Sequence, residues 1–248
     1  MSRYFDLMQQ AGIDDRAFVG NGTSRPVSDV KEREVHQSQS SFQSSSLNDE
    51  TLDLVQRIFL VPENPPRVVV FAGVDEQCDI SQICSSAAET LARISKRPVC
   101  LVEANFRSPN LPGIFGVTNR HGLVDALAGT EAISGFCKPL QENLWLLSAG
   151  TLDANSPSLL TPENLKDRFT ELRDDFEFII VDAPPLARYA ETMILGRIAD
   201  GLALVLEAGS TRREAATAAT ANLRASNIPI LAAVLNKAPS QASKKFFS

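Results

Sequence analysis

After Asp49 the chain alternates short, β-rich apolar runs with longer amphipathic segments, and this alternation constrains the fold more than any other feature of the sequence. The runs are Val68 to Phe71, Val99 to Val102, Leu144 to Leu147, Phe178 to Val181, Leu202 to Leu206 and Ile230 to Leu235. Such alternation is the signature of parallel βαβ units. Between the first two runs, Ile80, Ile83, Cys84, Ala87, Ala88, Leu91 and Ile94 recur at three- and four-residue steps, which puts one helical stripe against a sheet. Leu165 to Phe176 and the alanine-rich Thr211 to Ala225 supply further helices. Right-handed crossovers then build an α/β fold with a doubly wound, mostly parallel sheet flanked by helices. Ligands of such sheets bind at the carboxyl ends of the strands. That rule directs attention to Gly73 to Ser81, Glu103 to Arg107, Ala149-Gly150, Asp182 to Pro185 and Asn236-Lys237.

At 248 residues the chain has room for one large domain with tails. Residues 49–239 are expected to form that domain, and 240–248 a tail. In residues 1–48, Tyr4, Phe5, Met8 and Ile13 near helical spacing read as a short docking helix or a frayed start. From Gly20 to Asn48 the Ser/Gln-rich sequence has too little apolar surface to offset ordering entropy and reads as a disordered linker. No apolar run approaches the roughly 18 residues that a membrane helix needs, so no membrane span is expected. The net charge of −6 argues against a nucleic-acid partner, since only Lys244-Lys245 and Arg212-Arg213 are locally basic. Cysteines 78, 84, 100 and 137 form no C-x-x-C pair and only two histidines are present, so neither zinc nor a disulfide framework is signalled. With no apolar signal core after Met1, a reduced, cytoplasmic location is expected.

Phe178-Ile179-Ile180-Val181-Asp182-Ala183-Pro184-Pro185 resembles the Walker B segment of the bacterial tyrosine kinases, P-loop proteins of capsule and exopolysaccharide biosynthesis and export. Leu101-Val102-Glu103-Ala104-Asn105-Phe106-Arg107 is similar to that family's second Walker motif, Asp-x-Asp-x-Arg, with Glu103 and Asn105 in place of its aspartates. Gly122-Leu123, Leu127-Ala128-Gly129, Asn143-Leu144, Ala149-Gly150, Leu159-Leu160, Asp200-Gly201 and Val234-Leu235-Asn236 follow the family's order, so the likeness runs from about Asp49 to Lys237. It implies a P-loop NTPase-like fold, ATP and Mg2+ as cofactors, and Asp182, Glu103 and Asn105 at the catalytic positions. Gly73, Asp79, Ile80, Ser81, Arg107 and Asn236 fall at cofactor-binding positions, with Ser81 and Asp182 as the magnesium ligands. It also implies a membrane-embedded polysaccharide export or co-polymerase partner at the inner face of the plasma membrane, and a homo-oligomer.

The nucleotide loop departs from this pattern. A P-loop reads G-x-x-x-x-G-K-[ST], where glycines let backbone N–H groups close on phosphate and lysine offsets its charge. Here Gly73-Val74-Asp75-Glu76-Gln77-Cys78-Asp79-Ile80-Ser81 puts Ile80 at the lysine, Asp79 at the second glycine and Ser81 at the magnesium-binding hydroxyl. Asp75, Glu76 and Asp79 bring like charge toward the phosphate space; two unit charges ~4 Å apart repel by about 4 kcal/mol at an effective dielectric of 20.

Each residue also has a plain structural reading. Asp79 reads as a helix N-cap in a capping-box-like pair with Gln82, Ile80 as part of the apolar stripe, and Ser81 as a first-turn residue. Asp182 reads as a turn cap, Arg107 as half of a carboxylate pair and Asn236 as a strand terminator. The family's oligomer motif Glu-x-x-Arg-x-x-Arg falls on Glu50 to Gln56 with both arginines replaced and Arg57 adjacent, and the tail contains no tyrosine; Tyr4 and Tyr189 are the chain's two. The expectation is a kinase-like binding or regulatory protein, and the alternative is a working autokinase or ATPase in which Arg107, Lys237 or another subunit's side chain replaces the lysine. A partner-positioning ATPase of the ParA/MinD kind would need loop lysines that are absent.

Overall fold

The computed structural model describes residues 18–21, 49–76, 78–151 and 159–237. Its strands are β1 (Phe18–Asn21), β2 (Val68–Gly73), β3 (Val99–Glu103), β4 (Cys137–Gln141), β5 (Leu144–Leu147), β6 (Phe178–Asp182), β7 (Gly201–Glu207) and β8 (Ile230–Asn236). They form one sheet in the order β1-β8-β7-β2-β6-β3-β5-β4, parallel throughout except for the antiparallel β4–β5 pair. Its helices are α1 (residues 49–60, ending in a π turn), α2 (Ile80–Ser95), α3 (Leu111–Ile114), α4 (Leu123–Ala128), α5 (Pro162–Asp175), α6 (Glu191–Ile198) and α7 (Arg213–Ala225).

The expected strands and helices are present with small shifts that have local causes. The α5 helix starts early because Thr161 caps it, accepting the Asn164 N–H at 3.2 Å, with Pro162 in the first turn. It stops before Phe176, whose backbone is already extended. β4 has no apolar alternation and contains Pro139, so nothing in its sequence announces a strand. Gly20 and Asn21, expected within the linker, are the end of β1, where Phe18-Val19 supplies strand-forming residue types. The remaining expectations for residues 1–48, and those for 240–248, lie outside the described residues.

The strands alternate between two apolar layers. Val68, Val70 and Ala72 of β2 join the layer filled by Leu165, Phe169 and Leu172 of α5 and Leu195 of α6. Val69 and Phe71 join the opposite layer, filled by α1 and by Ile80, Ile83, Cys84, Ala87, Ala88 and Leu91 of α2. The helical stripe read from the sequence is therefore buried from Ile80 to Leu91, with Ile94 partly buried, and truncating a fully buried member such as Leu91 to Ala would cost about 2–5 kcal/mol. Phe59 seats α1 on the sheet edge-to-face against Phe178, at 5.6 Å between ring centroids. At the opposite end of the strands from the site, Asp200 accepts the Arg67 and Val68 N–H groups at 2.7 and 2.8 Å and takes Arg173 at 2.9 Å. Burial alone would raise its carboxyl, but Arg173 and the two N–H groups outweigh it and hold the pKa below the usual value.

β2 and β6 are neighbours whose outgoing helices, α2 and α6, pack on opposite faces. Their carboxyl ends form the topological switch point, where an open α/β sheet has its crevice.

Candidate functional site

Four strand ends meet at this crevice: the loop after β2, Glu103 to Arg107 after β3, Asp182 to Tyr189 after β6, and Asn236-Lys237 after β8. A cleft of about 760 Å3 opens between them, lined by Glu76, Asp79, Ser81, Asn105, Arg107 and Tyr189 among others. A polar groove of about 900 Å3 runs along the outer face of α2 and shares Asp79 with it.

The loop is folded on itself. A Cβ on Gly73 would stand 2.9 Å from the Asp75 carbonyl oxygen and 3.1 Å from the Cys78 Cβ, so glycine is required there by closure of the loop alone. The Ile80 N–H, the first of the amides that a phosphate would meet, donates to the Cys78 carbonyl at 2.9 Å. Ile80 is 7% exposed and packs into the α2 layer, as its place in the stripe requires. Burial, with Asp75 and Glu207 nearby, pushes the Cys78 thiol up to about 12, so it is no nucleophile at neutral pH.

Asp79 stands at the N-cap position of α2 but makes no side-chain cap, which corrects the capping-box reading. Its carboxylate instead holds the Lys237 ammonium at 3.1 Å. An ion pair is available to it because Lys237 turns back toward the loop in the left-handed region (φ 55), its N–H held at 3.0 Å by Asn236 Oδ1. Asn236, buried at the end of β8, thus terminates its strand as the plain reading has it, while also lining the groove along α2. Lys237 reaches Glu207 as well, at 3.3 Å. Glu76 pairs with Arg188 across the mouth of the cleft.

The floor holds two acids side by side, since Glu103 and Asp182 are register partners on β3 and β6. Both are fully buried. Burial is the main reason that each carboxyl is shifted upward; its neighbour Asp182 adds to the effect on Glu103. Glu103 accepts the N–H groups of Asn110 and Leu111 at 2.9 and 2.8 Å, and that of Asn105 at 3.3 Å, so its oxygens tie down the loop that leads into α3. Neither oxygen of Asp182 has a well-formed hydrogen bond; the adjacent Ser81 hydroxyl only partly offsets its burial. An orphaned carboxylate beside a hydroxyl is a hard-cation type of donor set, though the described residues include no group of three or more His, Cys, Asp or Glu able to hold a metal.

Arg107 is committed on two sides, to Glu191 at 2.9 Å and over the Tyr189 ring at 4.6 Å from its centroid. The structure therefore brings Asp79, Ser81, Asn105, Arg107 and Asp182 to one crevice. Sequence reasoning missed Arg188 and Tyr189, whose one signal was their position after a Pro-Pro pair at a strand end. Two motif pieces read separately also turn out to be a single contact. A Cβ on Gly122 would lie 2.0 Å from the Ser148 carbonyl oxygen and 2.5 Å from the Gly150 nitrogen, and Gly150 itself has φ +81.

No protein-family model matches the chain. In sequence it is similar to the tyrosine-protein kinase YwqD of Bacillus subtilis, 29% identical over 180 residues that cover 68% of this chain and 76% of that one. The putative tyrosine-protein kinase CapB of Staphylococcus aureus is 24% identical over 77% of this chain and 83% of its own. In fold it is similar to the chimerical protein CapA2B2, with a TM-score of 0.77 at 18% identity over 95% of this chain and 99% of that one. The kinase domain of the Escherichia coli tyrosine kinase ETK gives 0.76 at 19% over 98% and 97%. A ParA family ATPase from Chlorobium tepidum TLS shares the fold more loosely, with a TM-score of 0.58 at 16% identity over 68% of this chain and 73% of that one. The ordered motifs, the parallel sheet with its switch point at β2 and β6, and the likeness to YwqD and CapB agree: the chain is similar in sequence to bacterial tyrosine kinases and has a P-loop NTPase fold.

Proposed function

We propose that this chain serves capsule or exopolysaccharide biosynthesis and export as a kinase-like binding or regulatory protein that transfers no phosphate itself. The observation that carries this reading is Ile80, an apolar side chain packed into the core at the position that the resemblance assigns to the family's loop lysine. The rest of the loop supports it. Phosphate needs free amides and a cation at the helix start, whereas here the Ile80 amide is taken internally and the carboxylates of Glu76 and Asp79 border the space. These residues do not fit a nucleotide's phosphates. Ser81 and Asp182 keep the oxygen donors of a magnesium site, but Glu103 directs its carboxylate to backbone N–H groups instead of a substrate hydroxyl.

The partner of such a protein would be the membrane-embedded export or co-polymerase component that the family resemblance implies, which would hold it at the inner face of the membrane. No helix among the described residues is long and apolar enough to cross a membrane. Self-association through the α1 motif is weakened, because Arg57 pairs with Asp53 on its own helix at 2.8 Å. The second reading, an active autokinase or ATPase with an altered loop, is favoured by Lys237, which brings an ammonium to the loop from another strand end.

Calorimetric titration with ATP and magnesium, followed by mass spectrometry after incubation, separates the two. The expected result is a Kd weaker than ~1 mM (about −4 kcal/mol) and no phosphotyrosine. Affinity tighter than ~10 μM (about −7 kcal/mol) together with phosphate on Tyr189 or Tyr4, abolished by Asp182→Ala, would overturn the non-catalytic reading.

A further inference from the structure

Two ion pairs close the loop, and the cation of each comes from outside the loop. Asp79 holds Lys237, from the turn after β8, at 3.1 Å. Glu76 holds Arg188, from the turn after β6. Arg107, after β3, stands on a further side of the same cleft with Glu191 as its partner. Lys237 and Arg188, from separate strand ends, thus reach carboxylates that line the crevice, and Lys237 is also held by Glu207 at 3.3 Å. Lys237 is held there by its backbone, since its left-handed φ of 55 and the Asn236 side chain aim it at the loop. Converging guanidinium and ammonium groups are the chemistry that holds phosphate oxygens. Asp79 and Glu76 occupy those cations with carboxylate oxygens.

We propose that Asp79 and Glu76 are a built-in anion: an autoinhibitory latch that neutralises Lys237 and Arg188, and that keeps a diphosphate group out of the cleft until the loop is displaced. This deepens the reading given above and rests on it, since it explains what the altered loop does in place of binding ATP. Both pairs are open to water, with side-chain exposures of 34% and 63% for Lys237 and Asp79, and 59% and 54% for Arg188 and Glu76. Exposed pairs are weak and readily exchanged. A latch of this kind suppresses anion binding without abolishing it, and a partner that draws the loop's carboxylates away would open the site.

The test is calorimetric titration with pyrophosphate, without metal, of the full chain, of Glu76→Gln/Asp79→Asn/Glu207→Gln, which also removes the second carboxylate on Lys237, and of that triple variant carrying Lys237→Gln and Arg188→Gln as well. Each carboxylate replacement is isosteric, and circular dichroism checks that folding is retained. The triple variant is expected to bind pyrophosphate at least tenfold more tightly than the unmodified chain, and the variant without the two cations to lose that gain. A folded triple variant within twofold of the unmodified chain overturns the latch, as does a gain that survives loss of both cations. Tight binding of ATP and magnesium by the unmodified chain would instead count against the non-catalytic reading, whatever the ratio between variants.

Discussion

Asp182 is a buried carboxylate without a well-formed hydrogen bond, and its effect on stability depends on pH. In an unfolded chain Asp and Glu titrate near 4, whereas burial pushes Asp182 up to about 7 and Glu103 up to about 8. Between those limits the folded state binds more protons than the unfolded one, so the pair's contribution is intact below about pH 4 and lost as pH climbs toward 8. Asp182→Asn keeps the shape and removes the charge. Urea unfolding should find it more stable than the parent at pH 8, by about 1–3 kcal/mol, with a shallower decline from pH 5 to 8. A variant no more stable at pH 8 would mean that Asp182 has a partner in the folded protein. The position of Asp182 at the end of an apolar strand was legible in the sequence. Its lack of a well-formed hydrogen bond was not, because that depends on how β3 and α2 set the Glu103 carboxylate and the Ser81 hydroxyl beside it. Ile80→Lys makes the same point from the other side. The new ammonium would sit beside Asp79 and pair with it before meeting a phosphate, and the change removes a buried apolar group at a cost of order 1 kcal/mol or more. Alone it should leave ATP affinity within a few-fold of the parent in a calorimetric titration; added Asp79→Gly should account for most of any gain.

Among the elements, the crossover helices were the most readable, because their burial follows a stripe that the sequence displays. The α2 stripe from Ile80 to Leu91 is buried as its spacing requires. Contacts between elements were not readable in that way: Gly122 and Gly150 are far apart in sequence and meet only because β5 delivers Ser148 to Gly150 to the start of α4. The Leu123 and Val124 N–H groups donate to the Ser148 and Ala149 carbonyls at 2.8 and 3.0 Å, and the Gly122 N–H donates to Asp125 at 2.9 Å. There is no space between the two backbones for a methyl group. Gly122→Ala is therefore expected to lose about 3 kcal/mol or more in denaturant unfolding, through backbone displacement at fixed chemistry. Gly116→Ala provides the comparison, since its φ of +64 strains an L residue but nothing lies within 4 Å of an added Cβ. It should cost only about 1–2 kcal/mol. Equal losses at the two sites would show that the Gly122–Ser148 approach relaxes cheaply.

For the whole molecule, a sheet of this kind has two edges, and the two are protected differently. The β4 edge is short, carries Pro139 and is broken in register between Pro139 and Gln141, all of which discourage another strand from pairing. The β8 edge has no such device. It is seven residues long and apolar up to its last residue, and β1 covers it in parallel from Ala233 to Asn236. Composition hid this arrangement, because the polar sequence around β1 reads as linker and four residues carry too little periodicity to announce a strand. The consequence is that residues 18–21 act as an edge guard for the domain. A chain beginning at Asp49 keeps β2 to β8 and the helices that fill both buried layers, so it should fold but self-associate through its bare β8 edge. Light scattering at increasing concentration should find the truncated chain forming larger species than the full chain does. A truncated chain that stays the same size as the full one at every concentration would mean that β8 is protected by something other than β1, and that the N-terminal strand is dispensable to the sheet.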